Sequence, residues 1–298
     1  MKKFANRRAF VTGATGFVGS RLTQKLLSEG WEVCALVRPN SNLQQLHSVL
    51  PRIALVDFSA AGELTAAIAD YSPDVVFHLA SRFIAEHRSE QIPELIDSNI
   101  RFGTELVEAL VNARIQKLIN VGTSWQHFET SEYRPVCLYA ATKQAFEAIL
   151  DFYVEHGPLQ VVTLKLFDTY GPGDPRPKLF AALKSARDSI VPVPFSAGEQ
   201  LIDLVHIDDV IEAFMIAANR LIATDKPLKE AFAVSSGAPL TLRRIADMYA
   251  LIKRQNLNID WGARPYRARE VMIPWSSGLC LPGWSPKIKL AQGMEHLE

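Results

Sequence analysis

The chain has 298 residues, 48% of them apolar and 21% charged, and its 32 basic residues are matched by 32 acidic ones. That length can bury a full core and fits one large α/β domain, or a large one with a smaller companion. A net charge of zero supplies no field to attract nucleic acid or an anionic membrane surface, so neither is expected as a partner.

No apolar h-region precedes the first strand-like run and no run reaches membrane length, so a cytoplasmic protein is expected. Cys34, Cys137 and Cys280 are far apart, odd in number and outside any metal-ligand spacing. They read as small packed hydrophobes in a reduced chain, and no metal is expected.

In chain order, a short apolar run ending Phe10-Val11-Thr12 meets the turn VTGATGFVGS, Val11 to Ser20. Val18, Leu22 and Leu26, at i, i+4 and i+8, predict a helix that stops at Gly30 before a second apolar run, Glu32 to Val37. Strand, glycine turn, helix, strand is a βαβ unit. Its first glycine permits the tight turn, its second lets a pyrophosphate approach the backbone, and its third lets helix pack on strand. Gly13, Thr15, Gly16, Phe17, Val18 and Gly19 are therefore assigned to a dinucleotide.

Further strands are predicted at Ile53 to Val56, Val75 to Leu79, Lys117 to Val121 and Val161 to Leu166, with helices between them, the clearest at Pro93 to Asn112 and Tyr139 to His156. This alternation predicts an α/β fold, a Rossmann-type doubly wound parallel sheet over residues 1–166. Beyond it GPGDPRP and VPVPF punctuate shorter elements, which predicts a smaller C-terminal α/β portion over 167–298 that covers the sheet's carboxyl edge and binds substrate.

Ligands of such sheets lie outside the carboxyl ends of the strands, so the residues just past each strand are the candidates. Arg38 follows the second strand where an NAD-binding chain would carry an acid, and a cation there suits the 2′-phosphate of NADP, with NAD as the other possibility. Asp57, followed by Phe58, can accept from an adenine amino group, and Leu79, Ala80 and Ser81 leave room for the cofactor to pass. After the fifth strand NVGTSWQHF places the hydroxyls of Thr123 and Ser124 at the same edge. Sixteen residues past Thr123 stands YAATK, whose Tyr139 and Lys143 share one helix face. An ammonium beside a phenol favours the ionised form, so Lys143 is expected to lower the Tyr139 pKa toward a useful range.

VTGATGFVG, HLAS, the Thr/Ser pair, YAATK, LFDTYGPGD, EQLIDLVHIDDV and LPGWSP together resemble the extended short-chain dehydrogenase/reductases, the nucleotide-sugar epimerases, dehydratases and ketoreductases. The run Phe167 to Asp174, WGARPYRAREVM and Gly283-Trp284 are most similar to nucleotide-4-keto-6-deoxysugar reductases. The resemblance implies Tyr139 as proton donor or acceptor and Lys143 as the holder of the nicotinamide ribose. It places Thr123, with Ser124 as the runner-up, on the substrate oxygen. It also puts Asn99, Leu166 and Phe167 on the cofactor, and Asp168, Lys178, Gln200 and Arg267 on a nucleotide sugar.

Two departures stand out. Ile202 occupies the place where the family often carries an arginine for the diphosphate, leaving Arg267 or Arg269 for that work, with Arg176 and Lys178 as further candidates. Ser124-Trp125 replaces the Asp-Glu of the dehydratases, which argues against elimination of water. His206, Asp208 and Asp209 are assigned to structure, with Asp208 as a helix N-cap. The resemblance further implies a homodimer joined through the helices Pro93 to Asn112 and Tyr139 to His156. The expected reaction is NADPH-dependent reduction of a nucleotide-linked 4-keto-6-deoxysugar. The alternatives are a 4-epimerase with tightly bound NAD and a catalytically silent dinucleotide-binding regulator.

Overall fold

The computed structural model describes residues 7–58 and 61–297. Its first half runs β1 (Arg8–Thr12), α1 (Phe17–Ser28), β2 (Glu32–Val37), β3 (Ala54–Asp57), α2 (Ala61–Tyr71), β4 (Val75–His78), α3 (Ile92–Ile96), α4 (Phe102–Asn112), β5 (Lys117–Thr123), α5 (Leu138–His156) and β6 (Gln160–Leu166). Then follow β7 (Asp168–Tyr170), α6 (Leu179–Asp188), β8 (Val193–Phe195), β9 (Leu201–Ile202), β10 (Leu204–His206), α7 (Ile207–Ile222), β11 (Lys229–Val234), β12 (Leu240–Thr241), α8 (Leu242–Lys253), β13 (Ile259–Trp261) and α9 (Leu290–Glu295).

Seven strands form one parallel sheet in the order β11-β6-β5-β4-β1-β2-β3. Alternation along β1 shows why both faces are covered. Ala9 and Val11 pack with Leu22 and Leu26 of α1 and Val210 and Phe214 of α7, while Phe10 packs with Ile68 of α2, Leu110 of α4 and Phe146 of α5. A parallel sheet buried on both sides needs apolar residues at successive positions, and β1 supplies them. The strand order reverses direction between β1 and β4, which opens the crevice where such sheets take ligands.

All six strands expected from the sequence are present, with ends shifted by no more than two residues. The expected helix Pro93 to Asn112 is helical throughout, but Asp97–Arg101 forms a wide π-type turn between α3 and α4. Beyond residue 166 the chain does not stay in one place. β7, α6, α8 and α9 surround a separate core that includes Tyr170, Leu183, Ile245, Tyr249 and Met294, whereas α7 and β11 return to the sheet.

His206 and Asp209 have structural work, as expected, though with one correction. The N-cap of α7 is His206, whose Nδ1 accepts from the Asp208 N–H at 3.3 Å; Asp208 itself lies in the first turn. The chain enters the helix earlier than Asp208 as cap would require. The Asp209 carboxylate accepts the N–H groups of Lys287 and Ile288 at 3.0 and 2.9 Å, which pins the C-terminal segment to α7.

Candidate active site and cofactor cleft

The turn after β1 is built for a close approach. Gly13 holds φ at +71°, and a Cβ on it would stand 2.6 Å from the Ala80 nitrogen on the neighbouring strand end. Gly16 sits at the start of α1, where no side chain caps the helix and no acid occupies the first turn. The exposed N–H groups and the positive end of the helix dipole therefore face the crevice unclaimed, a fit for a pyrophosphate. Thr15 and Val18 are partly exposed there, but the Phe17 ring is buried, so its backbone alone is available to a ligand.

Along the sheet edge, Val37 pairs with Asp57, which brings Arg38 and Asp57 side by side past the strand ends. Both are exposed, and the Arg38 guanidinium makes no hydrogen bond or ion pair among the described residues. Phe58 packs at 5.3 Å on Phe102. Across the crevice, the Leu79 and Ala80 N–H groups donate to Thr12, and Ser81 follows, exposed.

Asn99 lies in the wide turn between α3 and α4 and is buried. Its oxygen accepts from the Ser81 hydroxyl at 3.1 Å and the Arg82 N–H at 2.7 Å, and its amide donates to Arg82 O and Thr142 Oγ1, both at 2.9 Å. Those four bonds exhaust its capacity. The Asn99 amide thus ties the loop after β4 to α5 beside the crevice.

Tyr139 and Lys143 lie one turn apart in α5, which starts at Leu138. The expectation that Lys143 lowers the phenol is overturned in direction. Burial pushes Tyr139 up to about 12, and the opposing influence is a hydrogen bond with the Ser81 hydroxyl. Lys143 is itself buried, which brings its ammonium down to about 8, with Glu147 acting the other way. Desolvation outweighs the Ser81 hydrogen bond at Tyr139 and the Glu147 charge at Lys143.

Thr123 and Ser124 part company at the end of β5. The Thr123 Oγ1 accepts from the Trp125 N–H at 3.3 Å and its own N–H donates to Gln126 Oε1 at 2.9 Å, a local cap, whereas Ser124 lines the large cavity. Beneath them the buried Gln126 amide donates to Gln144 and Glu147, and Lys165 stands 3.0 Å from His127 and 3.6 Å from Glu147. No local pattern announces this support, because its members are scattered polar residues that only the fold assembles.

The cavity occupies about 790 Å³ between the sheet edge and the C-terminal portion. Asp168, Lys178, Gln200 and Arg267 all line it, and so does Ile202. Lys178 lies 3.6 Å from Asp168, Gln200 bonds Ser196, and Arg267 grips Glu270 through two nitrogens at 2.9 and 2.7 Å. Arg176 is bound to Asp174 and to the Thr169 carbonyl, and Arg269 stacks over Phe128 away from the cavity. Leu166 ends β6, and Phe167, buried, lies parallel to Trp275 at 6.3 Å. Among the lining residues given no binding role from sequence, Phe83 and Trp275 stand outside the quoted motifs, while Trp125 and Arg264 lie within them and are brought to the cavity by the fold.

A glycine turn at the reversal point of a parallel sheet, an uncapped helix start and a Tyr/Lys helix facing it mark a Rossmann-type dinucleotide-binding enzyme. The chain belongs to the NAD dependent epimerase/dehydratase family, whose profile matches residues 9–229, and is thus an enzyme of the extended short-chain dehydrogenase/reductase type. It is similar to a CDP-abequose synthase of Yersinia pseudotuberculosis, 26% identical over 270 residues that make up 90% of this chain and 91% of the relative. It is also similar to a UDP-glucose 4-epimerase of Mycolicibacterium smegmatis, 28% identical over 96% of both chains. The fold superposes on the UDP-glucose 4-epimerase of Thermotoga maritima with UDP-glucose (TM-score 0.83, 22% identity, 97% of this chain and 96% of that one). It matches the UDP-glucose 4-epimerase of Thermus thermophilus in complex with NAD over the same shares (TM-score 0.80, 24% identity). Among the described residues no helix is long and apolar enough to cross a membrane.

Proposed function

We propose that this enzyme uses NADPH to reduce a nucleotide-linked 4-keto-6-deoxysugar to the 4-hydroxy sugar, with Tyr139 as the proton donor. The observation that carries the reading is the Arg38 guanidinium, exposed past the end of β2 and without a partner among the described residues, which suits the 2′-phosphate of NADPH, the exchangeable reducing cofactor, rather than a retained NAD. The similarity to CDP-abequose synthases over most of the chain supports the same reading. The similarity to 4-epimerases favours the second, a nucleotide-sugar 4-epimerase with retained NAD.

Bound in the cleft, the nicotinamide supplies the hydride. The chain does the rest. Gly13, Gly16 and the start of α1 receive the pyrophosphate, Arg38 the 2′-phosphate and Asp57 the adenine. Lys143 holds the ribose, Ser124 donates to the sugar carbonyl, and Tyr139 delivers the proton to O4. Asp168, Lys178, Gln200 and Arg267 orient the nucleotide sugar. Incubation with NADPH and a panel of nucleotide-4-keto-6-deoxysugars tests the whole. Consumption of NADPH with formation of the 4-hydroxy sugar is expected; interconversion of C4 epimers without net consumption selects the epimerase instead.

Arg38→Asp should weaken NADPH about tenfold, the loss of one charge-assisted contact at an exposed site, and improve NADH. Calorimetric titration of both cofactors decides it, and tighter binding of NADH by the unaltered protein would sink the assignment. Because Ser124, not Thr123, faces the cavity, Ser124→Ala should lower kcat/KM by about tenfold and Thr123→Ala by less. Equal losses would return Thr123 to the first place expected from sequence.

A homodimer through the helices 92–112 and 138–156 completes the proposal. Ile92, Ile96 and Phe152 lie on those helices with their side chains exposed. Sedimentation equilibrium at micromolar protein should give twice the 33.2 kDa chain mass; monomer alone would count against it.

A further inference from the structure

Inside the cavity, next to the proton donor, the wall is aromatic. Phe83 packs edge-on against the Tyr139 ring with centroids 5.0 Å apart, and Trp125 lies 5.6 Å from Phe83. Both line the cavity, and Phe83 leaves 46% of its surface open. A large apolar ring left wet in a concave site is surface held for a ligand.

The two rings are also held in place. The Lys178 ammonium, tied to Asp168, lies 5.3 Å over Phe83, and the Arg267 guanidinium, gripped by Glu270, lies 5.0 Å over Trp125. Each cation covers one ring and is paired with a carboxylate, Lys178 with Asp168 and Arg267 with Glu270. The hydroxyl that bonds the phenol is that of Ser81, in the loop after β4, and the Ser124 hydroxyl at the end of β5 lines the same cavity as the two rings.

This arrangement divides the surroundings of the reacting carbonyl. With O4 at the phenol, the substituents beside it are those on C3 and on C5, the latter bearing C6, and the groups flanking the phenol meet those carbons. A hydroxyl pressed on Phe83 finds no partner and loses its water, whereas a methylene or methyl group gains contact.

Resting on the reductase reading for where O4 lies, we infer that Phe83 and Trp125 form a specificity wall that selects sugars lacking a hydroxyl at C6 or C3, and that deoxygenation is read by these two rings rather than by any hydrogen-bonding group.

Binding tests this independently of turnover. Matched probes are CDP- and UDP-linked glucose, 6-deoxyglucose and 3,6-dideoxyglucose, titrated calorimetrically into the protein with and without NADPH. The deoxygenated members should bind at least about tenfold more tightly than their hydroxylated partners. Phe83→Asn and Trp125→Gln should each shrink that ratio below about threefold, while Phe83→Leu, apolar but not aromatic, should keep most of it. NADPH affinity should stay within about twofold in all three.

Equal affinity for both members of every pair overturns the wall, as does a ratio that survives both polar variants. A fall in NADPH affinity that parallels the lost ratio also overturns it, since the rings would then belong to the cofactor half. The 6-deoxy and 3,6-dideoxy probes separate C6 from C3 as the carbon read. The reductase reading stands or falls on a different measurement, NADPH consumption with keto sugars. A preserved binding ratio without turnover sinks that reading and leaves the wall in place, whereas no binding of any probe up to millimolar overturns both.

Discussion

Tyr139→Phe will remove most turnover and leave NADPH binding nearly intact. The phenyl ring keeps its edge contact with Phe83 and its burial in α5; what disappears is the O–H and its bond with Ser81. General acid catalysis contributes ~10²–10⁴-fold, so the single-turnover rate at saturating NADPH should fall within that range. A variant that keeps more than about a tenth of the rate would exclude the phenol as the essential acid and revive the silent dinucleotide-binding regulator. Lys143→Ala should instead reduce NADPH affinity as well as rate. Because burial brings the Lys143 ammonium to about 8, the reductive rate should be level below that pH and decline above it as the charge is lost.

The second large effect is structural. Gly19→Ala would drive a methyl group into the carbonyl oxygen of Gly13, with the Gly13 carbon 2.8 Å and the Ala14 Cα 2.9 Å away. All three are backbone atoms, so no rotamer change relieves the clash, and Gly13 is already confined against Ala80 at positive φ. The helix start must move away from the strand end, which spoils the pyrophosphate seat. Overpacking of this kind costs about 3 kcal/mol, which corresponds to a melting temperature lower by about 5–10 °C. NADPH affinity should drop beyond easy measurement. Gly30→Ala is the control, since Gly30 also has positive φ (+80°) but nothing within 4 Å. It should lower the melting temperature by only a few degrees, ~1 kcal/mol of backbone strain, and leave NADPH affinity alone. Equal effects of the two would mean that conformation rather than close approach governs the turn.

Features that depend on neighbours in sequence could be read without the structure. The glycine spacing, the Tyr139/Lys143 pair and the six strands are local patterns, and each appears within two residues of its expected place. What escaped depends on distant partners. The pKa of Tyr139 follows burial under loops far off in the chain rather than the lysine one turn on, because a helical spacing says who is adjacent and not how dry the site is. The choice between Thr123 and Ser124 turns on a one-residue register at the strand end, where Thr123 Oγ1 accepts the Trp125 N–H and Ser124 lines the cavity. The bonds of the Asn99 amide to Ser81, Arg82 and Thr142 join segments far apart in the chain, which no local spacing announces. Phe83 belongs to no motif and Trp125 to one that gave it no binding role, yet Phe83 packs on the proton donor and Trp125 on Phe83.

The return of α7 and β11 to the sheet bears on how such a chain can be divided or recombined. β11 runs alongside the whole of β6, from Lys229 against Val161 to Val234 against Leu166. Cutting after residue 166 would strip that partner away and expose a long apolar edge, a template for chain-to-chain pairing. The cofactor half is therefore not a cassette that can be lifted out. A graft of a foreign substrate half would have to spare α7 and β11 and exchange only the stretches before and after them, so new specificities arise here by replacing loops around a fixed frame.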